Sequence, residues 1–468
     1  MTAAGARPSG PADRQAIEAA SQLAGLRHEL DAWMTSAASR GPLEKHHSQV
    51  RSLVTTLRDY ADAAEAALSA PASGYPLRDV ILDMHHIWDF FRGKLLQRMV
   101  PWHRDFLDAA DEMAWACYHP ARAAGQAVPQ PAGGGIGDDD NGGSPPLCFL
   151  SRTAAPLAVP RGEPLRPLLS DRAGLHTVRG AAAAGELPFP MVGLPWSQTE
   201  HIPALVLLAH EAGHHLHSEL GLADELATTL AAAGLAERWP RSWQMESFAD
   251  VCGVLACGEA YVGLLLDELA VLAGRSAGAA QAGNYPPMRR RGLLCLAALE
   301  LTGFPARAAL LRAEWLVRTH ALTACGGDAP GRAPDPAAET DDAHRVAGLL
   351  LRTPLARLGG PPREVLANPE LARLSEAAQF LLARMSSGTR DVRSVVAAAG
   401  LAFLRDPRGY ALVGVHRQAL REIIGLRPPG VRADQGEPAG SPATGQGRRR
   451  ASGRDLFARV AAQYPPSR

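Results

Sequence analysis

Apolar positions recur at helical spacing through most of the chain. Leu23, Leu26, Leu30 and Trp33 follow a 3-4-3 pattern, and Val50, Leu53, Leu57, Tyr60 and Ala64 repeat it. Such a stripe is the buried face of an amphipathic helix. Val80, Ile81, Met84, Ile87, Trp88 and Phe91 make a third stripe; Phe106, Leu107, Ala110, Met113, Ala114 and Cys117 make a fourth beyond Pro101. Four helices with short connections predict an N-terminal bundle over 1–120. Residues 121–146 end in GGGIGDDDNGGSPP and read as linker. The DDDNG run is out of register for a calcium loop and has no glutamate at the twelfth position.

Three short runs bounded by Pro and Gly read as strands: LCFLS at 147–151, PLAVP at 156–160 and FPMVGLP at 189–195. A helical tract follows over about 200–274, broken at Pro240. Helices resume at 288–302, 305–324, 338–352, 364–386, 391–404 and 408–424. The pattern predicts a mainly α protein with a small β-sheet. Its parts are a core over 147–300, a C-terminal helical region over 301–427, and a low-complexity tail over 428–468 with a short helix around Leu456–Ala461.

Composition narrows the function classes. Lys+Arg and Asp+Glu both number 48 in 468 residues, so no net charge points to nucleic acid. No run reaches the roughly 18 apolar residues of a membrane helix. The N-terminus lacks the pattern of a signal peptide. The expected setting is cytoplasmic, with no membrane and no nucleic-acid partner. Cysteines 117, 148, 252, 257, 295 and 325 are scattered and read as buried reduced thiols.

The chemistry-bearing stretch is AHEAGHH at 209–215. His-Glu-x-x-His arises by chance in about 3% of chains of this composition, so its surroundings decide. Ser197-Gln198-Thr199-Glu200 has the form of a capping box, Pro203 perturbs the first turns, and Gly221 predicts the C-terminal end. This spacing places His210 and His214 on one helix face, about 6 Å apart, where both can reach one ion. Glu211 stands about 100° around the helix, near enough to act on water beside that ion. Gly213 and Ala212 keep the surface low for a neighbouring helix.

A third ligand is required, and Glu246 in Met245-Glu246-Ser247-Phe248-Ala249-Asp250 is the best placed. Asp250, one turn further on, can accept from the far nitrogen of a ligand histidine and fix its tautomer. His217 is a reserve ligand on nearly the same face, and His215 points away.

His-Glu-x-x-His followed by Glu-x-x-Ala-Asp resembles the zincin metalloproteases with a glutamate third ligand, the gluzincins. It is most similar to the CAAX-prenyl and heat-shock protease group, but without membrane helices. The resemblance covers 189 to Arg291. It implies a zincin-like core holding Zn2+ through His210, His214 and Glu246, with Glu211 as base and Asp250 as supporting carboxylate.

That group carries a later His-Pro motif with an arginine six positions on. Here Arg291 keeps the offset and Tyr285 replaces the histidine. The resemblance thus implies Tyr285 as a stabiliser of the oxyanion and Arg291 as partner of a buried carboxylate. Tyr285 reads equally as a turn residue beside two prolines. A strand within 189–194 is the expected edge for an extended peptide or protein substrate, and the helical regions could recruit a protein partner. The expected function is a zinc metalloendopeptidase; the alternative is a catalytically restricted regulatory protein that keeps the fold.

Overall fold

The computed structural model describes residues 10–68, 77–126, 144–161, 189–275, 285–325, 335–428 and 430. The tail beyond 430, with its expected short helix, and most of the 121–146 segment lie outside them. The architecture is mainly helical, with a small three-stranded sheet flanked by N- and C-terminal helices. No helix among the described residues is long and apolar enough to cross a membrane.

The first three apolar stripes form α1 (Pro11–Ser36), α2 (His47–Leu68) and α3 (Leu77–Leu96). Their stripe residues meet in one core, where Trp33 and Trp88 make an edge-to-face contact at 5.3 Å. The fourth stripe behaves differently. Helix α4 (Pro101–Gln126) turns Phe106, Leu107, Ala110, Met113 and Ala114 into a second, larger core. It also runs on past Pro120 into the expected linker, because Ala121 still has core to cover.

The sheet divides the two cores. Strands β1 (Leu147–Ser151), β2 (Leu157–Val159) and β3 (Met191–Pro195) have the order β1-β3-β2. β1 runs parallel to β3 and β2 antiparallel to it. Alternation sends Leu147, Phe149 and Met191 to the three-helix core and Cys148, Leu150, Val192 and Leu194 to the larger one. β3 is therefore the central strand and cannot be the substrate edge expected within 189–194. Both of its sides are already paired, which leaves β2 as an edge.

The expected tract over 200–274 is four α-helices. They are α5 (Leu208–Glu219), α6 (Ala223–Ala232), α7 (Arg241–Cys257) and α8 (Glu259–Arg275). The capping box does not form. Residues Ile202–Leu207 are a 3-10 helix, and the Ile202 N–H is met by His416 Nδ1 at 3.1 Å from a distant helix. Pro203, with no N–H to satisfy, suits that position. His210 consequently lies in the first turn of α5 rather than deep inside it. The far end is as expected: Gly221 takes φ +59°, and Leu222 N–H bonds the His217 carbonyl at 3.0 Å, a Schellman closure.

The remaining helices are α9 (Met288–Leu301), α10 (Pro305–Cys325), α11 (Pro336–Arg352), α12 (Pro362–Val365), α13 (Leu374–Leu382), α14 (Val392–Arg405), α15 (Pro407–Val413) and α16 (Val415–Leu426). The helix expected over 408–424 is split where Gly414 takes φ +77°. Cysteines 117, 148, 252, 257 and 295 are free and buried.

Candidate metal centre

Helices α5 and α7 cross closely because Gly213 faces Ala249. A Cβ at Gly213 would stand 2.7 Å from the Ala249 Cα, closer than atoms can sit. That approach brings together three side chains from two helices. His210 Nε2 and His214 Nε2 are 3.0 Å apart, and each lies 3.4 Å from a different oxygen of Glu246. Two donors about 2.0–2.1 Å from one tetrahedral ion stand about 3.3–3.4 Å apart. The three groups lie close enough together to hold one divalent ion, and two imidazoles with a carboxylate are a donor set suited to zinc.

The electrostatics agree with the geometry. Burial opposes a charge on His210, but hydrogen bonds to Asp250 and Glu246 outweigh it and raise its pKa to about 9. The same negative surroundings that favour a proton there favour a cation. Burial and the neighbouring His210 push His214 well down, leaving it neutral, the form that ligates. Its Nδ1 is buried with no hydrogen-bond partner among the described residues. The two histidines are thus held unequally: one is clamped by a carboxylate, the other by packing.

Asp250 is the clamp. It is fully buried, and Arg291 grips it in a fork, Nε to Oδ2 at 2.7 Å and Nη2 to Oδ1 at 2.8 Å. His210 Nδ1 lies 3.0 Å from Oδ1. Burial opposes the Asp250 charge, yet Arg291 and His210 hold its carboxyl well below the ordinary range. Arg291 is thus paired with a buried carboxylate. Arg289 and Arg290, beside it on α9, instead pair with Glu339 of α11 and anchor that helix end.

Glu211 is buried, and burial raises its pKa. Its carboxylate accepts from the backbone N–H of Ala158 on β2. This contact places β2, an edge strand, beside the metal helix.

Tyr285 is 51% exposed at the approach to α9. Partial burial and the charges of Glu246 and Glu211 raise its pKa, and Arg291 opposes them. Among the described residues its hydroxyl has no hydrogen bond, so it neighbours the centre without being held by them.

His217 is not gathered into the triangle; it packs against Phe248 at 6.1 Å between ring centroids. His215, expected to be a bystander, ties α5 to the sheet by donating from Nε2 to the Met191 carbonyl at 3.1 Å. Sequence reasoning missed Tyr261, whose hydroxyl donates to Asp250 Oδ1 at 2.6 Å. It lies beyond the turn at Gly258, where helical periodicity no longer says which residues share a face.

Compared with known proteins, the chain matches no family model, no curated protein and no solved structure.

Proposed function

We propose that the chain is a zinc-dependent peptidase that cleaves an extended peptide or protein segment. The observation that carries this reading is the His210–His214–Glu246 triangle with the Glu211 carboxylate beside it on the same helix. A zinc ion held there would supply Lewis acidity, polarising a scissile carbonyl and making water a better nucleophile at neutral pH.

Glu211 then accepts the proton of the attacking water and delivers it to the leaving amine. Its raised pKa fits a group that must do both. Asp250 and Arg291 hold His210 in place. Tyr285, partly exposed beside Glu246 and Glu211, is assigned to donate a hydrogen bond to the carbonyl oxygen as negative charge develops. The free side of β2 offers backbone groups to an extended substrate, as strand addition requires.

Zinc content and peptide cleavage, measured together for wild type and Glu211→Gln, test this reading. The variant should keep about one zinc per chain and lose cleavage by about 10²–10⁴-fold. A wild-type chain that cannot be loaded with zinc would overturn the proposal. Equal cleavage by the two proteins would remove Glu211 from the mechanism.

A further inference from the structure

Three groups converge on one oxygen of Asp250, and only two of them have been given a role. Tyr261 Oη donates to Oδ1 at 2.6 Å and lies 3.2 Å from His210 Nδ1. Its ring is fully buried and lies within 15° of parallel to the His210 ring, with centroids 6.4 Å apart. The chain makes room for it. A Cβ at Gly253 would stand 2.4 Å from Tyr261 Cε2 and 2.5 Å from Cζ. A glycine inside a helix costs about 1 kcal/mol relative to alanine, and here it is where the tyrosine ring is seated. We propose that Tyr261 is a positioning residue that locks His210 in its Nδ1–H tautomer, so that the Nε2 lone pair faces the metal position.

A phenol has one proton. Given to Asp250, it leaves an oxygen lone pair turned toward His210 Nδ1. That nitrogen then faces two acceptors, Asp250 Oδ1 at 3.0 Å and Tyr261 Oη at 3.2 Å. It can satisfy them only by carrying the hydrogen. Arg291 Nη2 lies between the two ring nitrogens, 3.4 Å from Nδ1 and 3.3 Å from Nε2. It is bonded to Oδ1 at 2.8 Å, and as a donor it favours the bare nitrogen at Nε2 as much as at Nδ1.

Asp250 alone would be a poorer lock, because the Arg291 fork and the Cys295 thiol also draw on its oxygens. Tyr261 supplies Nδ1 with a second acceptor while holding the first in place. The reverse arrangement, with the phenol donating to Nδ1, would strip Asp250 of its shortest bond. It would also aim an Nε2–H at His214 and Glu246. Orienting partners of this kind are worth about 10–100-fold in metal affinity.

The consequence for zinc rests on the proposed metal centre, but the tautomer does not. Nitrogen-15 NMR of labelled histidines, recorded on the zinc-free protein through an alkaline pH series, reads the tautomer of the neutral ring directly. Chelator competition reads zinc affinity. Tyr261→Phe keeps the ring and its seat while removing the hydroxyl.

Wild type should show His210 as a single Nδ1–H form. The variant should show a mixture and bind zinc at least about tenfold more weakly. A variant that keeps both the single tautomer and the wild-type affinity overturns the inference. So does a wild-type spectrum with His210 in the Nε2–H form, whether or not the variant folds. Failure of wild type to bind zinc would count against the proposed peptidase, and the tautomer would still decide the part played by Tyr261.

Discussion

Two buried aspartates in this molecule have nearly the same neighbours and opposite uses. Asp111 on α4 and Asp250 on α7 are each gripped by an arginine fork and each face a histidine. At Asp111 the surroundings close. His46 Nε2 lies 3.2 Å from its carboxylate, His46 Nδ1 meets Gln49 at 2.8 Å, and Arg98 also donates to the Cys148 carbonyl at 2.6 Å. Both ring nitrogens of His46 face acceptors inside the protein, where the three-helix core meets the larger one.

At Asp250 the carboxylate takes only Nδ1 of the histidine, and Nε2 lies 3.3 Å from Arg291 Nη2. Nε2 is turned toward a second imidazole one helical turn away and a carboxylate from the crossing helix. A buried Asp–His–Arg group is therefore a structural rivet until a second and third donor face its remaining nitrogen.

The sharpest way to break this comparison is to remove one donor from each group and measure zinc. Glu246→Gln should reduce bound zinc from about one per chain to background, a larger loss than the roughly 10–100-fold expected for an outer partner. His46→Gln should leave zinc content unchanged, because among the described residues no second imidazole joins that ring in a metal-binding group. Equal zinc loss in both variants would mean that Asp111, not the crossing of α5 and α7, governs the metal centre.

How much of this was legible beforehand follows from which contacts are local. The stripes of α1 to α3, and the pairing of His210 with His214, depend on residues three or four apart, which helical periodicity fixes. Glu246 and Asp250 were legible for the same reason, each seen as part of one helix turn. Long-range choices were not. The central place of β3 follows from pairing with residues 32 to 44 positions away. The place of α4 in the larger core depends on which neighbours its stripe meets, and a stripe does not name its neighbour. The capping box failed because Ser197 lies inside a 3-10 turn, Trp196–Gln198, and the helical segment starts further on, at Ile202, whose N–H is met by His416 of α16.

A second test compares one substitution in two places. Gly213→Ala puts a methyl 2.7 Å from the Ala249 Cα, and backbone cannot step aside as a flexible side chain would. Overpacking of this kind costs about 1–3 kcal/mol, more than the helix-propensity gain of about 1 kcal/mol offsets. Because the ligands sit on the two helices being forced apart, zinc affinity should fall with it. Gly93→Ala on α3, with nothing within 4 Å of the added methyl, should instead stabilise by up to about 1 kcal/mol. Denaturant midpoints decide between them, and a shift of the same sign in both would discount the close helix crossing.

The smallest effect expected is in acid, and it isolates the structural rivet. Burial opposes a charge on Asp111, but Arg98 and His46 hold its carboxyl well below the ordinary range. Its contribution is therefore complete above the unfolded value of about 3.9 and is lost as pH falls through it toward the folded one, where the unfolded chain binds the extra proton. Burial and the Arg98 charge also lower the pKa of His46. Below its unfolded value of about 6.5 the unfolded chain takes up a proton that folded His46 resists, so stability falls there too. The two windows have the same sign and are separated by pH. With zinc chelated, His46→Gln should flatten the dependence of the denaturant midpoint just below about pH 6.5, and Asp111→Asn should flatten it below about pH 4. Buried His214 and His215, whose pKa values are also lowered, keep part of the upper window, so only a window of undiminished size after His46→Gln would remove His46 from it. The junction between the two cores would then be held by Arg98 and Asp111 without help from the imidazole.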